Sequence, residues 1–275
     1  MKLAGKTLLV TGGGSGIGRL VALGAAERGA SVVLWGRHVA NCEAVRDEIL
    51  AKGGSARAYQ VDVSDRQQVA AVGKETGDVD VIVNNAGVVN GAPLDQLTDE
   101  QIEMTFNVNV LALYWVTRAF LPQMIARGSG TVVTISSAAG LIGVAKQTDY
   151  SASKFAAFGF AESLREEMRK YHTGVTSLVV CPYYISTGMF QGVKTKFPLL
   201  LPILKPDFVA KKILDSIEAG REVLIMPPFV RLVPALRLLP VKLFDAAVDF
   251  FGINQTMDDF VGRKKTPQRV QDPRR

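Results

Sequence analysis

Short runs of Val, Ile and Leu recur along this chain and alternate with longer amphipathic segments. The runs lie at residues 7–11, 31–35, 56–62, 79–85, 130–137, 175–181 and 222–226. Most are continuously apolar rather than alternating, which is typical of strands buried on both faces of a parallel sheet. Helical patterns between them predict a single α/β domain, built on a doubly wound seven-stranded parallel sheet with helices on both faces.

No linker, repeat or low-complexity block divides the sequence into two domains. A length of 275 residues, with 48% hydrophobic and 21% charged residues, fits one large α/β domain. We expect this domain to span residues 1–262. We predict that residues 263–275, which supply most of the net charge of +6, form a basic, disordered tail. The tail by itself does not indicate nucleic-acid binding, although a contact with anionic lipid or nucleic acid remains the weaker alternative.

The two cysteines, Cys42 and Cys181, lie far apart without metal-type spacing. This pattern predicts a reducing compartment, no disulfide framework and no metal site. The chain enters its first strand almost at once, and no apolar run reaches the roughly 18 residues of a spanning helix. We therefore predict a cytoplasmic protein without a signal peptide or transmembrane anchor.

A glycine-rich loop, "TGGGSGIG" at residues 11–18, stands directly between the first strand and a helix. Gly12, Gly16 and Gly18 permit a tight turn and a close approach of backbone to a pyrophosphate at the helix N-terminus. This placement predicts a dinucleotide site.

The second strand ends in "LWGRH", where dinucleotide folds commonly carry an acid that binds the adenosine ribose. Gly36 lacks that negative charge, and Arg37 offers a guanidinium to a 2′-phosphate. The pair predicts a preference for NADP(H) over NAD(H). The alternative is that Arg37 simply points into solvent.

The stretch "YSASK" places Tyr150 and Lys154 one turn apart on the same face of a helix. An ammonium near a phenol lowers the phenol pKa and moves tyrosine toward acid/base use near neutral pH. Taken alone, such a pair is more often a solvated helix surface.

Four motifs in this order and spacing, "TGGGSGIG", "NNAG", "ISS" and "YSASK", resemble the short-chain dehydrogenase/reductase family over residues 5–262. The resemblance implies a single-domain Rossmann fold and an NAD(P)-dependent oxidoreductase. The stretches "LWGRHVANCEAV" and "CPYYISTGMF" are similar to the branch of retinol dehydrogenases, retinaldehyde reductases and hydroxysteroid dehydrogenases. Members of that branch usually carry an N-terminal hydrophobic anchor.

The resemblance also implies catalytic roles. Tyr150 exchanges the proton with the substrate oxygen, and Lys154 lowers the phenol pKa and holds the nicotinamide ribose. Ser137 stands thirteen residues before the tyrosine and hydrogen-bonds the substrate oxygen. Asn109 anchors a water in the proton relay, with Asn107 as the rival assignment.

The resemblance also implies which residues contact the cofactor. Asp62 and Val63 meet the adenine, residues 85–87 pass beneath the adenosine ribose, and "CPYYIST" fixes the carboxamide, whereas Asn84 braces the sheet. The implied cofactor residues are Gly12, Ser15, Gly16, Ile17, Gly18, Gly36, Arg37, Asp62, Val63, Asn85, Ala86, Gly87, Tyr150, Lys154, Pro182, Ile185 and Thr187.

Residues 187–205 are too rich in Gly and Pro for a regular helix and follow the sixth strand. They should cover the carboxyl edge of the sheet, where ligands bind, as a lid over an apolar substrate. We expect substrate contacts from Ser137, Tyr150, Tyr183, Met189 and Phe190. Tyr183 departs from the glycine that the family most often has there.

A C-terminal helical extension, about residues 227–252, is apolar, and every charge in residues 227–243 is basic. This composition suits a surface element that enters an anionic interface, which would give a peripheral membrane contact. The alternative is packing on the domain or on a second subunit. The resemblance implies a homodimer or homotetramer.

Together these features predict an NADP(H)-dependent oxidoreductase that interconverts a small hydrophobic aldehyde or ketone and its alcohol, most closely a retinoid. A 3-oxoacyl-thioester reductase and a hydroxysteroid dehydrogenase share the same catalytic residues and remain alternatives. A cofactor-binding scaffold without turnover is disfavoured, because all four catalytic candidates are present.

Overall fold

The computed structural model describes residues 1–262 and contains a seven-stranded parallel sheet of order β3-β2-β1-β4-β5-β6-β7. The strands are β1 (Thr7–Thr11), β2 (Ser31–Gly36), β3 (Ser55–Gln60), β4 (Val81–Asn84), β5 (Gly130–Ile135), β6 (Val175–Pro182) and β7 (Val223–Met226). The helices are α1 (Gly16–Glu27), α2 (Val39–Ala51), α3 (Arg66–Thr76), α4 (Asp99–Phe106), α5 (Ala112–Arg127), α6 (Thr148–Lys170), α7 (Pro206–Glu218), α8 (Val233–Leu236) and α9 (Val241–Phe250). The predicted single-domain α/β fold is confirmed.

Three predicted strands end earlier than their apolar runs. The third run ends its pairing at Gln60, the fourth at Asn84 and the fifth at Ile135. The ladder stops there because the chain turns away to its next helix or loop. Asp62, Asn85 and Ser137 consequently lie just past the strand ends, where a ligand can reach them.

The chain reverses its winding direction between β1 and β4. From β1 the order runs outward through β2 and β3 on one side, and through β4 to β7 on the other. The helices that leave the carboxyl ends of β1 and β4 therefore diverge and leave a crevice between them. The candidate site is built at this crevice.

Alternate residues of the central strands point into two separate apolar layers, one on each face of the sheet. Leu8 and Val10 of β1 are fully buried in the layer that contains α1 and α7. Leu9 faces the opposite layer, where the rings of Trp35 and Phe120 pack with centroids 5.6 Å apart. Both faces of the sheet are covered, as the continuous apolar runs predicted.

Two segments near the C-terminus depart from the alternating pattern. Residues 187–205 form turns and no helix, as predicted. The chain then returns past α9, and Val261 N donates to Gln191 O at 2.8 Å, so residues 253–262 lie against this lid segment. The predicted disordered tail, residues 263–275, lies outside the described residues.

Candidate functional site

The glycine-rich loop holds α1 close to β1 and β4. Gly12 and Gly16 have φ of 65° and 55°, in the left-handed region that favours glycine. A methyl group on Gly18 would lie 2.5 Å from Asn85 Nδ2 and closer still to the Gly12 carbonyl oxygen. Because α1 begins at Gly16, the positive end of its dipole faces the crevice and suits a pyrophosphate.

Thr11 joins the carboxyl ends of the two central strands. Its Oγ1 accepts hydrogen bonds from the backbone N–H groups of Asn85 at 3.0 Å and Ala86 at 3.1 Å. The Asn85 side chain returns a bond to Thr11 O at 2.9 Å. Asn84 instead donates to Thr117 Oγ1 at 3.2 Å inside the core, which fits its predicted bracing role. The loop after β4 is thereby fixed as the floor of the crevice.

A cleft of about 1330 Å³ runs along the carboxyl edge of the sheet over this floor. All but one of the residues predicted to hold the cofactor line it. They are Gly12, Ser15, Gly16, Ile17, Gly36, Arg37, Asp62, Val63, Asn85, Ala86, Gly87, Tyr150, Lys154, Pro182, Ile185 and Thr187.

Two of the predicted cofactor and substrate residues have other positions. Gly18 lies outside the cleft and acts through packing, because its missing side chain lets α1 approach Gly12 and Asn85. Met189, predicted as a substrate residue, lines the nucleotide cleft and not the apolar cavity described below. Residues 187–191 form a turn, so the next residue, Phe190, lines the apolar cavity although Met189 does not.

Three lining residues on or next to α2 were missed from the sequence: His38, Asn41 and Cys42. His38 stands beside Arg37 at the cleft. The position of the three residues just after the end of β2, where α2 begins, could have indicated them in the sequence.

The end of β2 carries no acidic side chain toward the cleft. Arg37 is exposed at the cleft, and its guanidinium has no hydrogen-bond or ion-pair partner within residues 1–262. Asp62 is the acid among the lining residues, and its Oδ1 accepts hydrogen bonds from Ser64 N at 3.0 Å and Ser64 Oγ at 2.6 Å. The rim at Arg37 is therefore positive.

Tyr150 and Lys154 lie on the first turns of α6 and are both 5% exposed. Lys154 Nζ donates to Ile135 O at 2.9 Å, at the end of β5. The same nitrogen lies 5.6 Å from the centroid of the Tyr150 ring. Ser137, two residues past Ile135, hydrogen-bonds the Tyr150 hydroxyl, and its Oγ also accepts from Ala139 N at 3.1 Å. The end of β5 and the start of α6 thus bring the three side chains together.

Burial has the largest effect on the pKa values of Tyr150 and Lys154. Burial raises the pKa of Tyr150, and the hydrogen bond with Ser137 opposes the shift only in part. Burial also lowers the pKa of Lys154 to about 8, against a small opposing effect of Cys181. The predicted lowering of the Tyr150 pKa by Lys154, whose Nζ lies 5.6 Å from the ring centroid, stays a prediction.

Asn109 sits in one turn of π-helix, Asn107–Leu111, between α4 and α5. Its side chain is 1% exposed and fully hydrogen-bonded: Oδ1 accepts from Val88 N at 2.8 Å, and Nδ2 donates to Val88 O at 2.9 Å and Ser153 Oγ at 3.0 Å. Asn107 is only half-buried. The π turn lets Asn109 connect the loop after β4 to α6, although Asn109 lines neither the cleft nor the apolar cavity. Its place in a proton relay stays a prediction.

A second cavity, of about 800 Å³, adjoins the cleft and is walled almost entirely by apolar side chains. Four residues line both spaces, so the two meet at Tyr150; the four are Ser137, Tyr150, Tyr183 and Phe190. The further lining residues, most of which the sequence did not single out, are Ala138, Ala139, Ile142, Val144, Gln147, Tyr184, Leu201, Phe229, Val230, Val233, Leu236, Phe244, Ala247, Val248, Phe251 and Ile253.

Aromatic rings form the wall at the junction. The Phe190 ring packs edge-on against Tyr150, with centroids 5.7 Å apart, and against Tyr184 at 5.1 Å. Tyr184 in turn contacts Tyr183 at 4.7 Å. The segment 187–205 thus places the Phe190 ring against the Tyr150 ring.

Tyr184 connects the start of α6 to the C-terminal segment. Its hydroxyl accepts from Gln147 Nε2 at 3.1 Å and pairs with Thr256 Oγ1 at 2.8 Å. Gln147 is 1% exposed and lines the apolar cavity. This polar link fixes one end of the cavity.

The C-terminal extension has an inner and an outer side. Its inner residues, including Phe244 and Phe251, wall the cavity, and Phe251 packs against Phe229 at 5.0 Å. Its outer residues include Leu238 and Val241, which are 87% and 74% exposed. The predicted alternative of packing on the domain is therefore true of the inner side.

Residues 1–262 contain no group of three or more His, Cys, Asp or Glu side chains placed to hold a metal ion. Over the same residues, no helix combines the length and the apolar character needed to cross a membrane.

Known proteins resemble this chain over most of its length. It is 44% identical to epidermal retinol dehydrogenase 2 of Mus musculus over 272 residues, which covers 96% of this chain and 87% of that protein. It is 35% identical to retinol dehydrogenase 10 of Rattus norvegicus over 296 residues, covering 96% and 87%.

Solved structures with the same fold include a metagenomic short-chain oxidoreductase in complex with NADP, at 31% identity and a TM-score of 0.69, covering 82% of this chain and 97% of that one. A short-chain dehydrogenase/reductase from Burkholderia phymatum in complex with NAD has 26% identity and a TM-score of 0.80, covering 88% and 96%. The family model for short chain dehydrogenases matches residues 6–197. With the nucleotide cleft and the Ser137, Tyr150 and Lys154 cluster in place, the chain belongs to the short-chain dehydrogenase/reductase family as an NAD(P)-dependent oxidoreductase that resembles its retinol dehydrogenase branch.

Proposed function

We propose that this protein is an NADP(H)-dependent oxidoreductase that interconverts a hydrophobic aldehyde or ketone and its alcohol, with a retinoid as the best-fitting substrate. The observation that carries the proposal is the junction of the two cavities. An apolar space of about 800 Å³ ends at Ser137 and Tyr150, where the nucleotide cleft also ends. The apolar lining of this space suits a lipid-like molecule with one polar end.

The described residues fit a nicotinamide dinucleotide. Gly18 leaves room for the tight loop, α1 points its N-terminus at the crevice, and Arg37 supplies a positive rim. The bound cofactor supplies or accepts the hydride. The side chains at the junction of the nucleotide cleft and the apolar cavity carry out every other step.

In the reducing direction, the carbonyl oxygen accepts hydrogen bonds from Ser137 Oγ and Tyr150 Oη, and the phenol then transfers its proton to that oxygen. The raised pKa of Tyr150 keeps the phenol protonated at neutral pH, which is the form that donates. Lys154 is placed to stabilise the phenolate that remains, because its Nζ lies 5.6 Å from the ring. Asn109 holds the loop after β4 against Ser153 and is the proposed anchor of the proton relay.

The NADP(H) preference rests on Arg37 and on the absence of an acid at Gly36. A charge-assisted, bidentate contact with a 2′-phosphate contributes about 1.5–3 kcal/mol, or roughly 10- to 100-fold in affinity. Arg37→Ala should weaken NADPH binding by that factor and leave NADH binding unchanged, as measured by nicotinamide fluorescence titration. Arg46→Ala is the matched control, because Arg46 lies on α2 with Glu43 and Asp47 as partners and does not line the cleft. Equal loss of both cofactors in Arg37→Ala would contradict the preference.

The substrate class is tested by cofactor consumption with all-trans retinal, a 3-oxosteroid and a 3-oxoacyl thioester. The retinoid proposal predicts the highest kcat/KM for retinal. The 35–44% identity to retinol dehydrogenases favours this outcome, as does the apolar lining. Activity confined to the thioester would eliminate the retinoid, and activity confined to the steroid would favour the hydroxysteroid alternative. A cofactor-binding scaffold would turn over none of them.

We also propose a peripheral, cytoplasmic-side membrane contact through the outer side of the C-terminal extension. Leu238, Val241 and Leu243 are 87%, 74% and 58% exposed, and exposed Arg231 and Lys242 lie on the same segment. Sedimentation with anionic vesicles should recover the protein, and Leu238→Asp with Val241→Asp should release it. Recovery that is unaffected by these substitutions would contradict the contact.

A homodimer or homotetramer is proposed from the exposed apolar side chains of the π turn, α5 and α6. Leu111, Tyr114 and Phe155 are 40%, 43% and 36% exposed. Light scattering should give a mass of two or four chains, and Tyr114→Arg with Phe155→Arg should lower it. A monomeric wild-type protein would contradict this assembly.

A further inference from the structure

Cys42 lies at the end of the nucleotide cleft where the cofactor preference is proposed to be set. It is the fourth residue of α2, lines the cleft and is 1% exposed. The catalytic mechanism does not use it, and it has no disulfide partner. Its position, between the glycine-rich loop and the end of β2, raises the question of what the thiol does there.

The sulfur fills the space that a side chain at position 36 would need. A methyl group on Gly36 would lie 2.8 Å from Cys42 Sγ, which is closer than real Cβ contacts. Beyond the neighbours of Gly36 in the chain, no other described atom lies within 4 Å of that methyl position. Among the described residues, the thiol is therefore the one group that a Cβ at position 36 would overlap.

The thiol has little freedom to move aside. A methyl group on Gly14 would lie 2.8 Å from Asn41 Cβ and 3.0 Å from Cys42 N, so the start of α2 packs directly on the glycine-rich loop. A 1% exposed side chain in such packing can vacate its place only if its neighbours shift. A bulkier residue 36 must push α2 away from the loop that holds the pyrophosphate.

We infer that Cys42 is a specificity-determining residue of the cofactor site: its sulfur excludes the acidic side chain at position 36 that would bind the ribose hydroxyls of NAD(H). The inference rests on the proposed NADP(H) preference and deepens it. Arg37 attracts the phosphate, while Cys42 acts through Gly36 and bars the competing arrangement. Two residues therefore set the cofactor preference: Arg37 in the loop before α2, and Cys42 on α2. Gly36→Asp alone should not change the preference from NADPH to NADH.

The test compares Gly36→Asp, Cys42→Ala and the double variant by NADH and NADPH titration. Gly36→Asp alone should lose NADPH affinity by roughly tenfold or more, from repulsion of the phosphate, without gaining NADH affinity. The double variant should bind NADH about tenfold more tightly than Gly36→Asp, because the carboxylate now fits beside the ribose. Gly36→Asp with Cys181→Ala, which removes the other buried thiol, should show no such gain. A purely structural role of Cys42 would move stability but not the NADH affinity.

A second comparison uses smaller changes. Gly36→Ala should lower the Tm by about 3–10 °C through overlap with the sulfur. Adding Cys42→Ala should recover most of that loss, so that the two changes are strongly non-additive. The inference is overturned if Gly36→Asp alone binds NADH as tightly as the double variant, or if Gly36→Ala keeps the wild-type Tm.

The proposed NADP(H) preference and the proposed role of Cys42 can be contradicted separately. A wild-type protein that binds NADH more tightly than NADPH contradicts the proposed preference, whatever positions 36 and 42 do. Additive effects at positions 36 and 42, in a wild-type protein that prefers NADPH, contradict the role of Cys42 alone.

Discussion

Gly18→Ala should disable the cofactor site although residue 18 does not line the cleft. The added methyl group would lie 2.5 Å from Asn85 Nδ2, well inside the 3.4 Å at which ordinary contact begins. Neither neighbour can yield easily, because Asn85 Nδ2 donates to Thr11 O at 2.9 Å and the other contact is the Gly12 backbone. We expect a cost of about 1–3 kcal/mol, hence a Tm lower by about 3–10 °C.

The same displacement moves the N-terminus of α1 away from the pyrophosphate, so NADPH affinity should fall by roughly tenfold or more. The assay is a fluorescence titration of NADPH combined with thermal unfolding. Gly159→Ala is the matched control, since Gly159 lies inside helix α6 and a methyl group there meets nothing within 4 Å. It should stabilise the protein by about 0.8–1 kcal/mol and leave NADPH affinity unchanged, with the oligomeric state checked by light scattering. Wild-type affinity and Tm in Gly18→Ala would refute the packing argument.

The remaining predictions concern the chemistry and the cavity. The pKa of Lys154 is lowered to about 8, so its ammonium is present below that pH and lost above it; kcat/KM for reduction should fall as pH rises through about 8, and Lys154→Arg should move the fall to higher pH. An unchanged profile in Lys154→Arg would assign the titration to another group. Ala247→Trp should fill the apolar cavity and lower kcat/KM for retinal at least about tenfold while sparing a short aliphatic aldehyde, because Ala247 lines the cavity. Ala246→Trp, one residue earlier on α9 and exposed, should change neither substrate, and equal losses in both variants would contradict the placement of the cavity.

The sheet and the nucleotide cleft were predictable because their signals are local. Continuous Val, Ile and Leu runs determine buried parallel strands, and a glycine loop between strand and helix determines where a dinucleotide binds. The grouping of Ser137 with Tyr150 and Lys154 was implied by the resemblance to the short-chain dehydrogenase/reductase family, and the end of β5 and the start of α6 bring the three side chains together. What the motifs could not provide was the extent of burial, which raises the pKa of Tyr150.

The substrate side was predicted only in outline. The apolar character of residues 227–252 was visible, but which of them line the cavity depends on how the extension folds back over residues 187–205. Phe251 faces inward while its neighbour Phe250 is 60% exposed. The inward residues Phe244, Ala247, Val248 and Phe251 have helical spacing, but the sequence does not show that this face meets the cavity. The contact between Cys42 and Gly36 likewise depends on the approach of α2 to the glycine loop and leaves no sequence motif.

The most direct test of the proposed reaction is the rate of NADPH oxidation with all-trans retinal in the wild-type protein and in Tyr150→Phe. The wild-type protein should turn over retinal, and loss of the phenol proton should reduce kcat by at least about 100-fold. NADPH affinity should remain within about threefold, because Tyr150 stands at the junction of the cleft and not at the Arg37 end. A wild-type rate in Tyr150→Phe, or a wild-type protein that binds NADPH and reduces no hydrophobic carbonyl, would contradict the proposal.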